Sequence, residues 1–199
     1  MIRAILLAAG RSRRMGTQKL LLPYGGTTVV GHITDQLVVS DLDGLVGVVR
    51  SWNDRVGREL SGRGVTIVEN PDPEGEMLSS VRCGLRMLPP GEAVLVVLGD
   101  QPSITTGLVD AMLDAWGQTD MGIVVPVHEG RRGHPVLFSD NYRGEILTSF
   151  EQVGLRGLLR EHPEDVFELD VPTGAVLSDM DYPGDYRREL RRLGEGSDG

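Results

Sequence analysis

A basic segment punctuated by glycines, near the start of the chain, has residue types and a spacing suited to binding an anion. It runs from Gly10 through Gly16 to Lys19 and follows a short apolar run, as a loop leaving a buried strand would. The spacing is neither the Walker motif nor the dinucleotide-binding glycine motif. Its backbone amides can still form an anion-binding concavity, because glycines let the backbone approach a phosphate. Two interpretations stay open: a phosphate cradle, or a glycine loop that only turns the chain.

Lys19 is the only lysine among the twenty basic residues of the chain, and the other nineteen are arginines. Since arginine serves at every other basic position, the retained lysine indicates a need for a compact ammonium group. The oxygens of a triphosphate would need such a charge, although one lysine could also be kept by chance. Residues 1–34 carry five basic side chains and no acidic one, within a chain of net charge -9. A basic pocket on an acidic protein suits a small polyanion.

Asp100 is the second candidate, because it follows the apolar run of residues 94–98 through Gly99. A carboxylate at the end of a buried strand lies at the carboxyl edge of the sheet, where open α/β folds bind ligands. Oxygen ligands suit Mg²⁺, which takes one or two protein carboxylates and completes its shell with phosphates and water. The alternative is that Asp100 caps the next helix, a position for which Ser103 and Thr105 are better placed.

The third candidate is the acidic stretch "SDMDYPGDY" at residues 178–186, which could bring a second carboxylate to the same metal. Asp179 and Asp181 are the candidates. Acidic turns before helices are common, so this stretch alone is a weak signal.

The elements that must position these residues follow from hydrophobic patterning. Five short runs are rich in Val, Ile and Leu without alternation, as in strands buried on both faces of a parallel sheet. Helical patterns lie between them, including a stripe of Val30, Ile33, Leu37 and Val38. This alternation predicts an α/β fold with a Rossmann-like, doubly wound, mostly parallel sheet in three layers.

The last third of the chain departs from this regular alternation of strands and helices, and it contains no obvious linker. It predicts a short strand at 135–138, two short helices, a strand within 165–171 and a final helix from 183. We therefore expect a single domain over residues 1–193 and a disordered tail over 194–199.

Composition excludes several classes of protein. The net charge of -9 argues against general nucleic-acid binding, and no apolar segment is long enough to span a membrane. The single cysteine, Cys83, excludes an internal disulfide framework and a cysteine-based zinc site, and it fits a reducing compartment. A cytoplasmic protein is expected.

Five motifs, in order from residue 2 to about 186, resemble those of the molybdenum cofactor nucleotidyltransferases, and most closely the MocA-like cytidylyltransferase group. The motifs are "LLAAGRSRRMGTQKLLLP", "NPDPEGEMLSSVRCGL", "GDQP", "RRGHPVLF" and "DMDYPGDY". The resemblance implies a fold of the nucleotide-diphospho-sugar transferase type. It also implies Mg²⁺-dependent transfer of CMP from CTP to the phosphate of molybdopterin, with release of pyrophosphate.

The resemblance also implies roles for individual residues. It assigns catalysis to Lys19, Arg14 and Asp100, and magnesium binding to Asp100 and Asp181. Gly133, His134 and Pro135 would face the acceptor. The residues that would bind the nucleotide are Leu7, Ala8, Ala9, Gly10, Arg11, Ser12, Arg14, Lys19, Ser79, Ser80, Gly84 and Asp100.

Substrate choice depends on finer features of the resemblance. Ala9 before Gly10 favours CTP, since guanylyltransferase relatives tend to carry Ala-Gly-Gly there. Glu76 and the pair Tyr182 and Gly184 depart from the usual pattern without replacing a charged group. The alternatives are another nucleotide with another phosphate acceptor, or a non-catalytic carrier that delivers cofactor to a molybdenum hydroxylase. His134 is expected to position substrate, because an acceptor phosphate needs no proton removed before it attacks.

Overall fold

The computed structural model describes residues 1–12, 14–72 and 76–195. Within these residues the strands are β1 (Ile2–Leu7), β2 (Pro23–Tyr24), β3 (Thr27–Thr28), β4 (Gly44–Val49), β5 (Thr66–Glu69), β6 (Ala93–Leu98), β7 (Ile123–His128), β8 (Arg131–Arg132), β9 (Val136–Phe138) and β10 (Val166–Asp170). The α-helices are α1 (Val29–Val39), α2 (Arg55–Leu60), α3 (Met77–Met87), α4 (Thr106–Gln118), α5 (Arg143–Thr148), α6 (Leu155–Glu161) and α7 (Pro183–Glu195).

The main sheet has the strand order β10-β7-β9-β6-β1-β4-β5, with β8 paired to β7. Strands β1, β4, β5 and β6 pair in parallel, as do β7 and β10. Strand β9 lies antiparallel between β6 and β7, so the sheet is mixed but mostly parallel. Strands β2 and β3 form a separate hairpin.

Helices cover both faces of this sheet, which confirms the three layers. One core cluster joins the sheet to α1, α2 and α4, and a second joins the opposite face to α3, α5 and α6. Strand residues are buried on both faces, for example Ile5 and Leu6 of β1. The absence of alternation in the sequence therefore reflects true two-sided burial.

Two details of the predictions were wrong. Val30, Ile33 and Leu37 of α1 are buried, but Val38 is 51% exposed because it lies about 100° around the helix from Leu37. Helix α7 continues to Glu195, so the first two residues assigned to the tail are helical. Residues 196–199 lie outside the described residues.

Strand direction determines where the site forms. Strands β1, β4, β6, β7 and β10 run the same way, so their carboxyl ends meet at one edge of the sheet. Strand β9 runs the opposite way and begins at that edge, which places residues 133–135 there. Among the described residues, no helix has the length and apolar character needed to cross a membrane.

Candidate active site

The glycine loop leaves the carboxyl end of β1 and returns at Lys19. Ala9 and Gly10 line a cavity of 260 Å³ at this edge, called here the loop cavity. Ala8 does not line it: Ala8 is buried, and its amide donates to the carbonyl of Val48 at 2.8 Å. The Ala8 amide is therefore engaged in the sheet, and the position of Ala8 does not support the predicted contact with the nucleotide.

Ser12 closes the loop on itself. Its hydroxyl donates to Oε1 of Gln18 at 2.7 Å and accepts from the amide of Lys19 at 3.0 Å. Both contacts hold the loop against the start of the 3-10 turn Lys19–Leu21. The structure thus gives Ser12 a positioning role, and its predicted contact with the nucleotide stays a prediction. Arg13 lies outside the described residues.

Lys19 joins three segments that are distant in sequence. Its side chain is nearly buried, with Nζ 2.5 Å from Oδ2 of Asp100 and 3.0 Å from Oδ1 of Asp181. Nη1 of Arg14 lies 2.9 Å from the other oxygen of Asp181. The guanidinium of Arg14 also lies 6.0 Å from the ring centroid of Tyr182. The glycine loop, the end of β6 and the turn before α7 therefore meet at one cluster of charges.

Burial and charge act against each other in this cluster. Burial alone would lower the pKa of Lys19, but the charges and hydrogen bonds of Asp100 and Asp181 outweigh it and raise that pKa. The Lys19 ammonium is therefore protonated. Burial raises the pKa of Asp100, and the opposing effect of Lys19 does not cancel it. Additional positive charge nearby would therefore stabilise the ionised form of Asp100.

The donor set fits a divalent cation that shares its shell with a ligand. Asp100 and Asp181 present oxygens from two segments to one point, the position now taken by Nζ of Lys19. Across the described ranges, no group of three or more His, Cys, Asp or Glu side chains could form a closed metal site. Two carboxylates with phosphate and water are what Mg²⁺ typically accepts.

The loop cavity lies between the glycine loop and the start of α3. Its lining includes Leu7, Ala9, Gly10, Lys19, Leu20, Glu76, Met77, Ser80, Leu98, Asp100 and Asp179. A Cβ placed on Gly10 would meet no atom within 4 Å, so the space beside it is free for a ligand. Leu7, Ala9, Gly10, Lys19, Ser80 and Asp100 thus line one cavity, and their binding of a nucleotide stays a prediction. The assignment of Arg11 to nucleotide binding stays a prediction.

Asn70 holds the start of α3 and was not singled out from the sequence. Its Nδ2 donates to Oγ of Ser79 at 2.7 Å and to Oγ of Ser80 at 3.0 Å. Ser80 lines the loop cavity, whereas Ser79 donates to the carbonyl of Glu76 and lies outside the lining. The signal that could have found Asn70 is its position directly after β5.

Gly84 has a packing role, which corrects its assignment to the nucleotide pocket. A Cβ at Gly84 would lie 2.6 Å from Cγ2 and 2.8 Å from Cδ1 of Ile5. Gly84 is buried and is not part of the cavity lining. It lets α3 approach β1 closely, and so it sets the position of Ser80 one turn earlier.

A second and larger cavity of 520 Å³, called here the acceptor-side cavity, adjoins the first. Both cavities share Glu76, Met77, Leu98 and Asp179. The remaining lining comes from the start of α3, from residues 132–134 with Val136, and from α6 with the loop before it.

The segment of Gly133, His134 and Pro135 presents one side chain to this cavity. Gly133 and His134 line it, whereas Pro135 is buried behind them. A Cβ on Gly133 would collide with the carbonyl oxygen of Val176, so the glycine permits this close approach. The predicted direct contact of Pro135 with acceptor is not supported by its position.

His134 is neutral at physiological pH. Burial lowers its pKa to about 4; the positive charge of Arg156 acts in the same direction, and Asp100 opposes it. Its Nδ1 atom is buried and has no hydrogen-bond partner among the described residues. A buried ring nitrogen without a partner is uncommon, and it lies beside a cavity able to hold one.

Gln101 was also missed from the sequence. It is 1% exposed, and its Nε2 donates to Oδ1 of Asp179 at 2.7 Å. This bond holds Asp179 in the wall that both cavities share. Asp179 therefore lines the site without joining Asp181 at Lys19.

Comparison with known proteins agrees with this geometry. The profile of the MobA-like NTP transferase domain matches residues 4–166. The molybdenum cofactor cytidylyltransferase of Escherichia coli (strain K12) is 28% identical over 200 residues, covering 98% of each chain. The crystal structure of Rv0371c from Mycobacterium tuberculosis H37Rv superposes with a TM-score of 0.84 at 32% identity, covering 96% of this chain and 97% of that one. A second structure of that protein, in complex with manganese, superposes with a TM-score of 0.79 at 29% identity, covering 96% of this chain and 98% of that one.

The fold expected from the sequence, of the nucleotide-diphospho-sugar transferase type, is confirmed by the mostly parallel sheet with helices on both faces. The matched residues include the glycine loop and the end of β6 with Asp100. They also include the strand ends that form the sheet edge where both cavities lie. The chain therefore belongs to the MobA-like NTP transferase family and is a nucleotidyltransferase.

Proposed function

We propose that this protein transfers CMP from CTP to the phosphate of a molybdopterin-type acceptor and releases pyrophosphate, with Mg²⁺ as cofactor. The observation that carries the proposal is the meeting of Lys19, Asp100 and Asp181 at the loop cavity, which adjoins a second, larger cavity. One cavity then holds the nucleotide and the other holds the acceptor. The similarity to a molybdenum cofactor cytidylyltransferase over nearly the whole chain supports this choice of substrates.

The nucleotide is expected in the loop cavity. Its triphosphate would lie along Ala9 and Gly10, with the Lys19 ammonium as a point charge on the phosphate oxygens. Arg14 adds a guanidinium at the more exposed side of the same cluster. These charges neutralise a polyanion in a site that is partly shielded from water, where electrostatic contacts are strong.

Asp100 and Asp181 are the residues that would hold Mg²⁺. When bound, the ion would supply further positive charge on the triphosphate oxygens. The manganese complex of the related mycobacterial protein supports the use of a divalent cation by this family.

The reaction depends on alignment of the acceptor phosphate with the α-phosphorus of CTP more than on proton transfer. An oxygen of the acceptor phosphate attacks the α-phosphorus of CTP and forms a new P–O bond. The bond from the α-phosphorus to the bridging oxygen of the β-phosphate breaks, and that electron pair leaves on pyrophosphate. Lys19 and the loop amides stabilise the charge that develops on the phosphates. Because the attacking oxygen is already anionic, neutral His134 serves to position substrate.

The nucleotide can be tested by thermal stabilisation. Ligand binding to the native state raises the unfolding temperature by an amount that grows with the logarithm of the ratio of ligand concentration to Kd. We expect a rise with CTP and magnesium that is larger than with GTP and magnesium or with either nucleotide alone. Pyrophosphate release with each nucleotide and molybdopterin then tests the reaction. Preference for GTP, or no turnover with any nucleotide, would contradict the proposal. Delivery of the product to a molybdenum hydroxylase stays a prediction.

A further inference from the structure

We propose that Arg156 and Arg160 of α6, together with the ring of His134, form a docking wall for the phosphate of the acceptor. The inference rests on the proposed function, which gives the acceptor-side cavity to the acceptor. It goes further by naming the residues that select the acceptor and the class they select, a phosphomonoester. A neutral acceptor that would attack through a hydroxyl group lacks the charge that this wall recognises.

The two arginines form a pair of cations on one face of a helix. They are four residues apart, so their side chains lie one above the other along α6. Both line the acceptor-side cavity, and both are exposed to solvent. Two guanidinium groups at this spacing present several N–H donors, and planar guanidinium groups bind phosphate oxygens well.

Neither arginine has a carboxylate partner in the part of the chain that the structure describes. The third arginine of the same cavity differs, since Nε of Arg132 lies 2.6 Å from Oε1 of Glu168. Arg82 on α3 is likewise occupied by Glu151 and two carbonyls. The cavity is thus lined by two arginines without an ion-pair partner among the described residues, although the carboxylates of Glu76 and Asp179 also line it.

The helix that carries the pair is fixed in place. Leu155, Leu158 and Leu159 pack into the core on the inner side of α6. Gly157 lies against the ring of Phe150, where a Cβ would collide with it. A docking site on such a helix is held in position before the ligand arrives, which lowers the entropic cost of binding.

His134 adds an uncharged ring to the lining of the same cavity, near Arg156. Its Nδ1 is buried beside the same cavity and has no partner among the described residues. The ring is neutral, so one tautomer carries a hydrogen on Nε2, the ring nitrogen that is not enclosed, and can donate it to an anionic oxygen. A phosphate on Arg156 would supply that oxygen, and it would lie on the side of the cavity that adjoins the loop cavity.

Inorganic phosphate is the probe for this wall. The loop cavity is first saturated with magnesium and the α,β-methylene analogue of whichever nucleoside triphosphate stabilises the wild-type protein. Phosphate is then titrated by calorimetry into wild type, the double variant Arg156→Gln/Arg160→Gln, and the control Arg86→Gln. Arg86 is an exposed arginine on α3 that lines neither cavity. We expect the double variant to weaken phosphate binding at least tenfold and the control to change it less than twofold.

Kinetics separates this inference from the proposed function. In the double variant, KM for the phosphate acceptor should rise at least tenfold while KM for the nucleotide stays within twofold. His134→Gln should raise the acceptor KM as well. Absence of phosphate binding to wild type, or equal weakening by Arg86→Gln, would overturn the docking wall. Absence of turnover with molybdopterin, with phosphate binding intact and sensitive to the arginines, would overturn the acceptor named above but leave the wall standing.

Discussion

The ammonium of Lys19 lies 2.5 Å from the carboxylate of Asp100, across 81 residues of sequence. The same ammonium reaches Asp181, so it occupies the point on which both candidate magnesium ligands converge. Without nucleotide, the lysine therefore balances the carboxylates. On the proposed function, we expect that with nucleotide and a divalent cation present the ammonium would move to the phosphates, and that Asp100 and Asp181 would hold the cation.

Removal of this competing charge should strengthen metal binding by the protein alone. In Lys19→Gln we expect Mn²⁺ to bind about tenfold more tightly without nucleotide, a change of about 1.4 kcal/mol. Titration followed by electron paramagnetic resonance of free Mn²⁺ measures this directly. Asp181→Asn is the matched control and should weaken Mn²⁺ binding. An unchanged affinity in Lys19→Gln would show that the lysine and the metal do not compete.

A second prediction concerns the shape of the cation. Lys19→Arg keeps the charge, but its planar group is too wide for a nearly buried position between two carboxylates. We expect the rate of pyrophosphate release to fall on the order of 10²-fold or more. The unfolding temperature should change little, since both ion pairs can form in a shifted geometry. Unaltered kinetics in this variant would mean that the lysine is not needed as such.

The sheet could be predicted from sequence because most of its strands are buried on both faces. Runs such as that of β6 (Ala93–Leu98) lack alternation, and their order along the chain follows the parallel crossovers. The direction of β9 could not be predicted, since three apolar residues do not specify a pairing partner. Helix α2, six residues long, is too short to show helical periodicity.

The site could be predicted only in part, because a motif marks ligand contacts and packing residues alike. Ala9 and Gly10 line a cavity, whereas Ala8 between Leu7 and Ala9 is engaged in the sheet. Arg156 and Arg160 were not singled out, because the wall of a cavity forms only when distant elements pack together. Helical periodicity shows which side of α6 is buried but not what the other side faces.

Gly84 allows a direct test of packing against ligand binding. In Gly84→Ala the new methyl group would crowd Ile5, so we expect the free energy of unfolding to fall by about 1–3 kcal/mol. Urea denaturation measures this change. Gly107→Ala is the control, because a Cβ in that position on α4 meets no atom within 4 Å, and helix propensity favours alanine there. Equal stability of the two variants would contradict the tight contact between α3 and β1.

His134 should make stability depend on pH in the acidic range. Its pKa is about 4 in the folded protein against an ordinary value of 6.5, so the unfolded chain binds more protons between these values. Stability from the neutral ring is therefore complete above pH 6.5 and is lost as the pH falls towards 4. The full effect is at most about 3 kcal/mol. Asp100 and other carboxyl groups titrate in the same range, so wild type is compared with His134→Gln by urea denaturation at several pH values. The difference in unfolding free energy between the two proteins should shrink by this amount from pH 7 to pH 4, and a difference that is constant with pH would contradict a buried neutral ring.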